Sequence, residues 1–342
     1  MEINSRRIVL GGISLALTLF PRFSFAQKEH KENKSYKQPN IVFLLADDLG
    51  YGDIGVNGQK LIKTPNINRL ASEGKSFSQF YAGCTVSAPS RSVIFTGLHT
   101  GHTYIRGNSS TNRVFREEGQ EPISASITTL GELLKSNGYR TGAFGKWGLG
   151  PVGSEGDPNK RGFDRFFGFN CQGLAHRYYP NHLWDNDKKV ILEENQNLSE
   201  KVIYAPDIIQ QQALNFIETS DPSQPFFLYL PYTLPHAELI VPDDSIFQYY
   251  KGKFSETTYV GNDYGPNARP GGYTSQEYPH ASFASLVTRL DRYLGEILEK
   301  LKEKGLDENT IVIFASDNGP HIEGGADPVF FNSGGGGSRN KT

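Results

Sequence analysis

Four short apolar runs along the chain are typical of strands buried in a sheet. The clearest is 41–45 (IVFLL), a continuous apolar run of the kind found in a parallel strand covered on both faces. Similar runs occupy 141–144, 226–230 and 311–315. The pattern therefore predicts at least four strands of a largely parallel sheet.

Apolar positions at helical spacing alternate with these runs. A helix is predicted over 283–304, before Gly305, and others over about 126–137 and 206–218. The stretch 252–280, rich in Gly, Pro, Tyr, Ser and Asn, is expected to be a long surface excursion. Strands that alternate with helices predict an α/β fold, a central largely parallel sheet flanked by helices.

The N-terminal pattern differs from that of the rest of the chain. Two arginines precede a charge-free run over 8–20, and a small-residue cleavage site ends at Ala26. Residues 1–26 therefore predict a signal peptide, since the run is shorter than the ~20 residues that span a bilayer. Residues 27–39 are polar and predict a disordered leader before a domain over 40–342.

The signal peptide over 1–26 predicts a periplasmic or secreted protein with no stable membrane insertion after cleavage. The 35 Lys and Arg residues nearly balance the 37 Asp and Glu residues, so the net charge gives no reason to expect a nucleic-acid partner. Two cysteines, Cys84 and Cys171, are too few for a disulfide framework, and whether they pair stays open.

Polar side chains come after each of the four apolar runs. They are Asp47 with Asp48, Lys146, His236, and Asp317 with Asn318. Ligands of open α/β sheets bind beyond the carboxyl ends of the strands, so these side chains are expected to share one crevice. Carboxylate and amide oxygens select calcium or magnesium over zinc. Taken alone, each acidic pair is more typical of a solvated turn, and it is their shared position after buried strands that favours a metal site.

The segment 87–97 (SAPSRSVIFTG) predicts a helix with a reactive N-terminus. Pro89 suits the first helical turn, which places Ser87 where backbone N–H groups favour an anion. Arg91 would lie beside it. A nucleophile at such an electropositive end fits attack on a tetrahedral oxyanion, although an ordinary helix cap accounts for the residues about as well.

This segment resembles the maturation motif C/S-x-P-x-R of the type I sulfatases, formylglycine-dependent arylsulfatases of the alkaline phosphatase superfamily. The resemblance continues, in the family's order, through PNIVFLLADDLGYGD, TPNINRLASEG, GYRTGAFGKWGLG, RGFDRFFGF, PYTLPHAEL and IVIFASDNGPHIEGGADPVFF. It implies an alkaline phosphatase-like fold. Family members continue into a smaller C-terminal subdomain, so 40–342 is expected to be a C-terminally truncated catalytic domain.

The resemblance implies that a maturase oxidises Ser87 to 3-oxoalanine (formylglycine), because Cys84 is out of register with the motif. Ca²⁺ would be bound by that residue together with Asp47, Asp48, Asp317 and Asn318. The hydrated aldehyde would attack sulfur while Arg91 stabilises its ionised form. Lys146 would neutralise sulfate oxygens, and His236 would contact the sulfate or protonate the leaving oxygen.

The sequence departs from the family at Gly148, where many members have a histidine in G-K-W-H-L-G. His321 is a candidate to contribute in its place, with a simple surface-loop histidine as the alternative. Lys341 lies near the position of a lysine that binds sulfate in the family. The alternative is a lysine in a flexible C-terminal tail.

The segment 169–184 mixes aromatic rings, histidines and amides, which suits a sugar or aryl ring. His176 and Trp184 are its candidate substrate-binding residues, with ordinary loop packing as the alternative.

The predicted function is hydrolysis of sulfate esters, on a sulfated glycan or small molecule. A phosphodiesterase or phosphonate monoester hydrolase of the same superfamily, or an inactive truncated glycan-binding pseudo-enzyme, is the alternative.

Overall fold

Seven strands form a single sheet in the computed structural model, which describes residues 37–109, 118–198, 200–265 and 273–335. The strands are β1 (Asn40–Asp47), β2 (Arg140–Lys146), β3 (Arg165–Phe169), β4 (His182–Asp185), β5 (Lys188–Ile191), β6 (Phe226–Pro235) and β7 (Thr310–Ser316). Their order across the sheet is β5-β4-β3-β2-β6-β1-β7. β4 pairs antiparallel with both β3 and β5, and the other neighbouring strands pair in parallel.

Helices cover both faces of this sheet. They are α1 (Pro65–Glu73), α2 (Ser87–Thr96), α3 (Leu130–Ser136), α4 (Gln172–Ala175), α5 (Ala205–Glu218), α6 (Ser245–Tyr250) and α7 (Pro279–Glu303). In β6, Leu228 joins the apolar core that includes α5 and α7, whereas its neighbour Tyr229 joins the opposite core with Phe95 of α2. Successive side chains of a strand point to opposite faces, so one buried strand supplies both cores. The predicted α/β class and largely parallel sheet are confirmed.

The predicted helix over 126–137 is shorter than expected. It begins at Leu130 because Thr129 caps it: the Thr129 Oγ1 accepts from the Glu132 amide at 3.3 Å, and the Glu132 carboxylate accepts from the Thr129 amide at 2.8 Å. This reciprocal capping box fixes a helix start, and residues before it lie outside the helix. Ile127, which is partly exposed, therefore lies before the helix.

The predicted signal peptide and most of the predicted leader fall in residues 1–36, outside the described residues. In the part of the chain that is described, no helix is both long and apolar enough to cross a membrane. The surface excursion is described in part, and there Tyr259 pairs with Gln276 in an isolated antiparallel bridge.

Candidate active site

The carboxyl ends of four parallel strands carry the side chains that the sequence singled out. Asp47 ends β1, Lys146 ends β2, His236 directly follows β6 and Asp317 directly follows β7. All four are buried. The structure brings them into one crevice because parallel strands end at the same edge of a sheet.

Backbone contacts between β1 and β7 fix the acidic residues relative to one another. The Asp317 amide donates to the Ala46 carbonyl at 3.0 Å, and the Asp48 amide donates to Asp317 Oδ1 at 3.2 Å. Asp48 has a φ of 61°, in the left-handed region that non-glycine residues seldom adopt. Such a conformation is held by its surroundings and is concentrated at functional sites.

Ser87 is the first residue of α2 and is only 1% exposed. Its Oγ lies 2.6 Å from Asp47 Oδ1 and 2.5 Å from Asp317 Oδ2. The next amide along the chain, of Ala88, donates to Asn108 Oδ1 at 2.9 Å. One hydroxyl has one proton, so it donates to one of the two carboxylates at a time. The Ser87 oxygen therefore sits among carboxylates whose charge needs other compensation.

Two buried cations supply part of that compensation. Arg91 Nη2 lies 3.0 Å from Asp317 Oδ2 and 3.5 Å from Asp47 Oδ1, and Lys146 Nζ lies 2.6 Å from Asp47 Oδ2. Arg91 Nη1 also donates to the Lys146 carbonyl at 2.8 Å. One guanidinium thus links α2, β2 and both carboxylates around the Ser87 oxygen.

The two carboxyl groups beside Ser87 have opposite pKa shifts. Burial opposes ionisation of Asp47, but the charges of Lys146 and Arg91 outweigh it and hold the pKa of that carboxyl well below its usual value. Burial and the charge of Asp47 raise the pKa of Asp317 to about 7. Arg91 and Lys146 therefore favour the ionised form of Asp47 more than that of Asp317, and a further cation would favour ionisation of Asp317 as well.

Three imidazole rings are stacked at the edge of this cluster. His236 Nε2 lies 3.2 Å from Asp48 Oδ2, and the His236 ring stacks on His176 at 4.6 Å and on His321 at 5.3 Å between centroids. His321 is buried, with Nε2 at 3.3 Å from the Pro235 carbonyl. The surface-loop alternative for His321 is therefore wrong, and both His176 and His321 adjoin His236.

Of the remaining two candidates, only Trp184 is among the described residues. Trp184 is in β4, and β3 separates that strand from β2 and Lys146. Among the described residues its aromatic and cation contacts are with His182 and Lys189. Lys341 lies outside the described residues. The structure thus does not place Trp184 with the carboxylate cluster.

Sequence reasoning missed two residues at this edge, Asn170 and Gln172. They come after β3, which it did not predict as a strand. The signal was present, because both lie just beyond the run RFFGF, as Asp47 lies just beyond IVFLL. Gln172 adjoins Gly148, the position that departs from the family pattern: a Cβ on Gly148 would come within 2.4 Å of Gln172 Nε2.

The oxygen ligands fit a calcium ion. Asp47, Asp48 and Asp317 offer oxygens that all lie within 4.8 Å of one another. Asn318 donates its Nδ2 hydrogen to Asp48 Oδ1, and among the described residues its buried Oδ1 has no hydrogen-bond partner. Converging carboxylates and an unused amide oxygen are the hard ligands that calcium prefers. Cys84 and Cys171 are not joined in a disulfide and lie outside this group, so no thiolate of the described residues favours a softer metal here.

The chain belongs to the sulfatase family, whose sequence model matches residues 39–341. It is 32% identical over 308 residues to N-acetylgalactosamine-6-sulfatase of Mus musculus, covering 85% of this chain and 53% of that protein. The solved structure of Ps i-CgsB in complex with k-i-k-neocarrahexaose superposes with a TM-score of 0.69 and 30% identity, over 85% of this chain and 60% of that one.

The phosphonate monoester hydrolase of Agrobacterium radiobacter shares the fold, with a TM-score of 0.57, 17% identity and coverage of 82% of this chain and 62% of that one. The chain spans about half the length of the mouse enzyme that it matches. These likenesses place the described sheet and its helices in the alkaline phosphatase-like fold.

Proposed function

We propose that this protein hydrolyses sulfate esters of a carbohydrate or an aryl alcohol. The supporting observation is the Ser87 oxygen, held at the N-terminus of α2 between Asp47 and Asp317 with Arg91 beside it. Relatives named for a sugar sulfatase activity or solved with an oligosaccharide favour a carbohydrate substrate.

Two groups would complete the chemistry of this site. A calcium ion held by Asp47, Asp48, Asp317 and Asn318 would supply positive charge to a sulfate oxygen. Oxidation of Ser87 to formylglycine by a dedicated maturase would supply, after hydration, a hydroxyl nucleophile stronger than serine.

The chain's own residues then bind the substrate and move its protons. Arg91 contacts the same Asp317 oxygen as the Ser87 hydroxyl and would stabilise negative charge there, while Lys146 Nζ would offer its charge to sulfate oxygens. His236 Nδ1 faces the Ala237 carbonyl at 2.5 Å, which directs Nε2 towards Asp48 and the crevice. Nε2 is therefore the atom that would hold the proton for the leaving oxygen.

A direct test compares turnover of 4-nitrophenyl sulfate and 4-nitrophenyl phosphate by protein co-expressed with a maturase. We expect the sulfate to be the better substrate, and mass spectrometry to find the Ser87 peptide lighter by about two hydrogens. A protein that carries this modification and prefers the phosphate would contradict the proposal.

A phosphodiesterase is the second candidate, and one observation favours it. Asp48, His321 and Glu323 offer an imidazole and two carboxylates within 4.8 Å, the ligand types of a zinc site. Activity on phosphate diesters restored by zinc, and not by calcium, would support this candidate over the sulfatase.

We also propose that the protein is exported to the periplasm or secreted, on the evidence of residues 1–26. N-terminal sequencing of the protein recovered outside the cytoplasm is expected to begin near Gln27. Recovery of the intact N-terminus in the cytoplasm alone would contradict export.

A further inference from the structure

Two buried amides at the carboxyl end of β3 have no hydrogen-bond partners among the described residues. Asn170 is 1% exposed and Gln172 is 7% exposed, and neither the nitrogen nor the oxygen of either side-chain amide is paired there. Buried polar groups are nearly always hydrogen-bonded, because an unpaired amide lowers the stability of the fold. An unpaired buried amide next to a crevice therefore has donors and an acceptor available to a ligand or a water molecule.

These amides lie beside the strand that carries Lys146. β3 pairs in parallel with β2, and Phe169 is opposite Lys146. Beyond the strands, the Trp147 amide donates to the Phe169 carbonyl at 2.8 Å, and the Gly148 amide donates to the Asn170 carbonyl at 3.3 Å. The two chain segments thus run side by side past the edge of the sheet, into the crevice.

Cys171, between the two amides, is also buried. Burial raises the pKa of its thiol to about 12, and the charge of Lys146 acts in the opposite direction. Cys171 comes two residues after Phe169, which is opposite Lys146 in the sheet.

Gly148 and Gln172 fit each other sterically. Gly148 has a φ of 71°, and a Cβ there would come within 2.4 Å of Gln172 Nε2. The Gln172 amide therefore occupies the space beside residue 148 that a larger side chain would need. A histidine at 148, as in many family members, would require the Gln172 amide to move from this position.

We propose that Gln172 is a substrate-binding residue whose Nε2–H group donates a hydrogen bond to an oxygen of the sulfate ester, beside Lys146. This assignment rests on the proposed sulfatase function. The amide takes the position of the missing histidine but cannot accept or release a proton near neutral pH. It therefore binds the sulfate and leaves proton transfer to His236.

The test uses the full chain, co-expressed with a maturase, and a Gln172→Ala variant. We expect the KM for 4-nitrophenyl sulfate and the inhibition constant for inorganic sulfate to rise about tenfold or more, the usual effect of losing a hydrogen bond to a charged group. The melting temperature should stay close to that of the wild type, because the Gln172 amide has no hydrogen bond to lose within the described part of the chain. Gln172→Glu should bind sulfate more weakly still, because its carboxylate repels the anion.

Gln210→Ala is the matched control. Gln210 is also a buried amide, but its Nε2 donates to the Tyr293 carbonyl at 3.2 Å and to Glu296 Oε2 at 2.8 Å. This variant should melt at a lower temperature with an unchanged KM, the opposite of the pattern expected for Gln172→Ala.

The wild-type protein tests the proposed sulfatase function, and the Gln172 variants test the role of Gln172. Wild-type protein that prefers the phosphate would overturn the proposed function and, with it, the sulfate contact. Wild-type protein that turns over the sulfate, with KM and sulfate inhibition unchanged in Gln172→Ala, would overturn the role of Gln172 alone. A Gln172→Glu variant with wild-type KM would do the same.

Discussion

Replacing Ser87 with alanine is expected to lower sulfate-ester turnover by at least about a thousandfold, as is usual for loss of a nucleophile. Alanine has no oxygen to be oxidised and cannot provide a hydroxyl to attack sulfur. The fold should persist, because the contacts of the Ser87 Oγ are with Asp47 and Asp317 and not with the apolar core. Steady-state kinetics and circular dichroism of the purified variant measure both effects.

Ser92→Ala is the control for this prediction. Ser92 is a buried serine of the same helix, but its Oγ lies 2.7 Å from Thr103 Oγ1 and not beside a carboxylate. That variant should keep most of its turnover, and Ser87→Cys should be active only with a maturase that accepts cysteine. Substantial turnover by a folded Ser87→Ala protein would refute the central role of Ser87.

Calcium is expected to stabilise the protein, and this effect should disappear in Asp47→Asn and in Asp317→Asn. Calcium at about a hundred times its Kd should add about 2.7 kcal/mol to the free energy of unfolding of the wild type. Each substitution removes one of the three converging carboxylates, so the site has fewer anionic ligands and binds calcium more weakly. Titration calorimetry and melting curves with and without calcium measure the effect.

Asp291→Asn is the control for calcium binding. Asp291 is also a buried carboxylate, but it accepts from the Ile67 amide at 2.7 Å and from Asn66 Nδ2 at 2.9 Å, both in α1. This variant should lose stability yet keep the full calcium effect. A wild-type protein that shows no calcium binding, while zinc restores activity, would favour the phosphodiesterase.

The sequence predicts the longer strands of the sheet, β1, β2, β6 and β7, more readily than the short strands β3, β4 and β5. β1 and β6 are buried on both faces, so their positions appear as uninterrupted apolar runs. β4 and β5 have only four residues each, and the β5 sequence KKVI is mostly exposed. Such short strands form because a neighbouring strand is available, and their own sequence carries little of that information.

The site residues likewise divide into those that a local sequence pattern predicts and those whose position depends on the folded chain. Asp47 and Asp317 were predictable because each comes right after an apolar run. The burial of His321 depends on the Pro235 carbonyl and on the His236 ring, which the chain brings near only after folding. Gln172 was missed for a related reason, since its position depends on recognising β3 as a strand.

The burial of Ser87 constrains when it can be modified. In the folded domain its side chain is almost inaccessible, and its partner Asp317 lies 230 residues further along the chain. Contacts between residues so far apart in sequence form late and slowly during folding. A maturing enzyme would therefore have to reach Ser87 on the newly made chain, before β7 closes the crevice. Synthesis, oxidation and folding would then have to occur in that order, and a molecule that folded first would keep an unmodified serine.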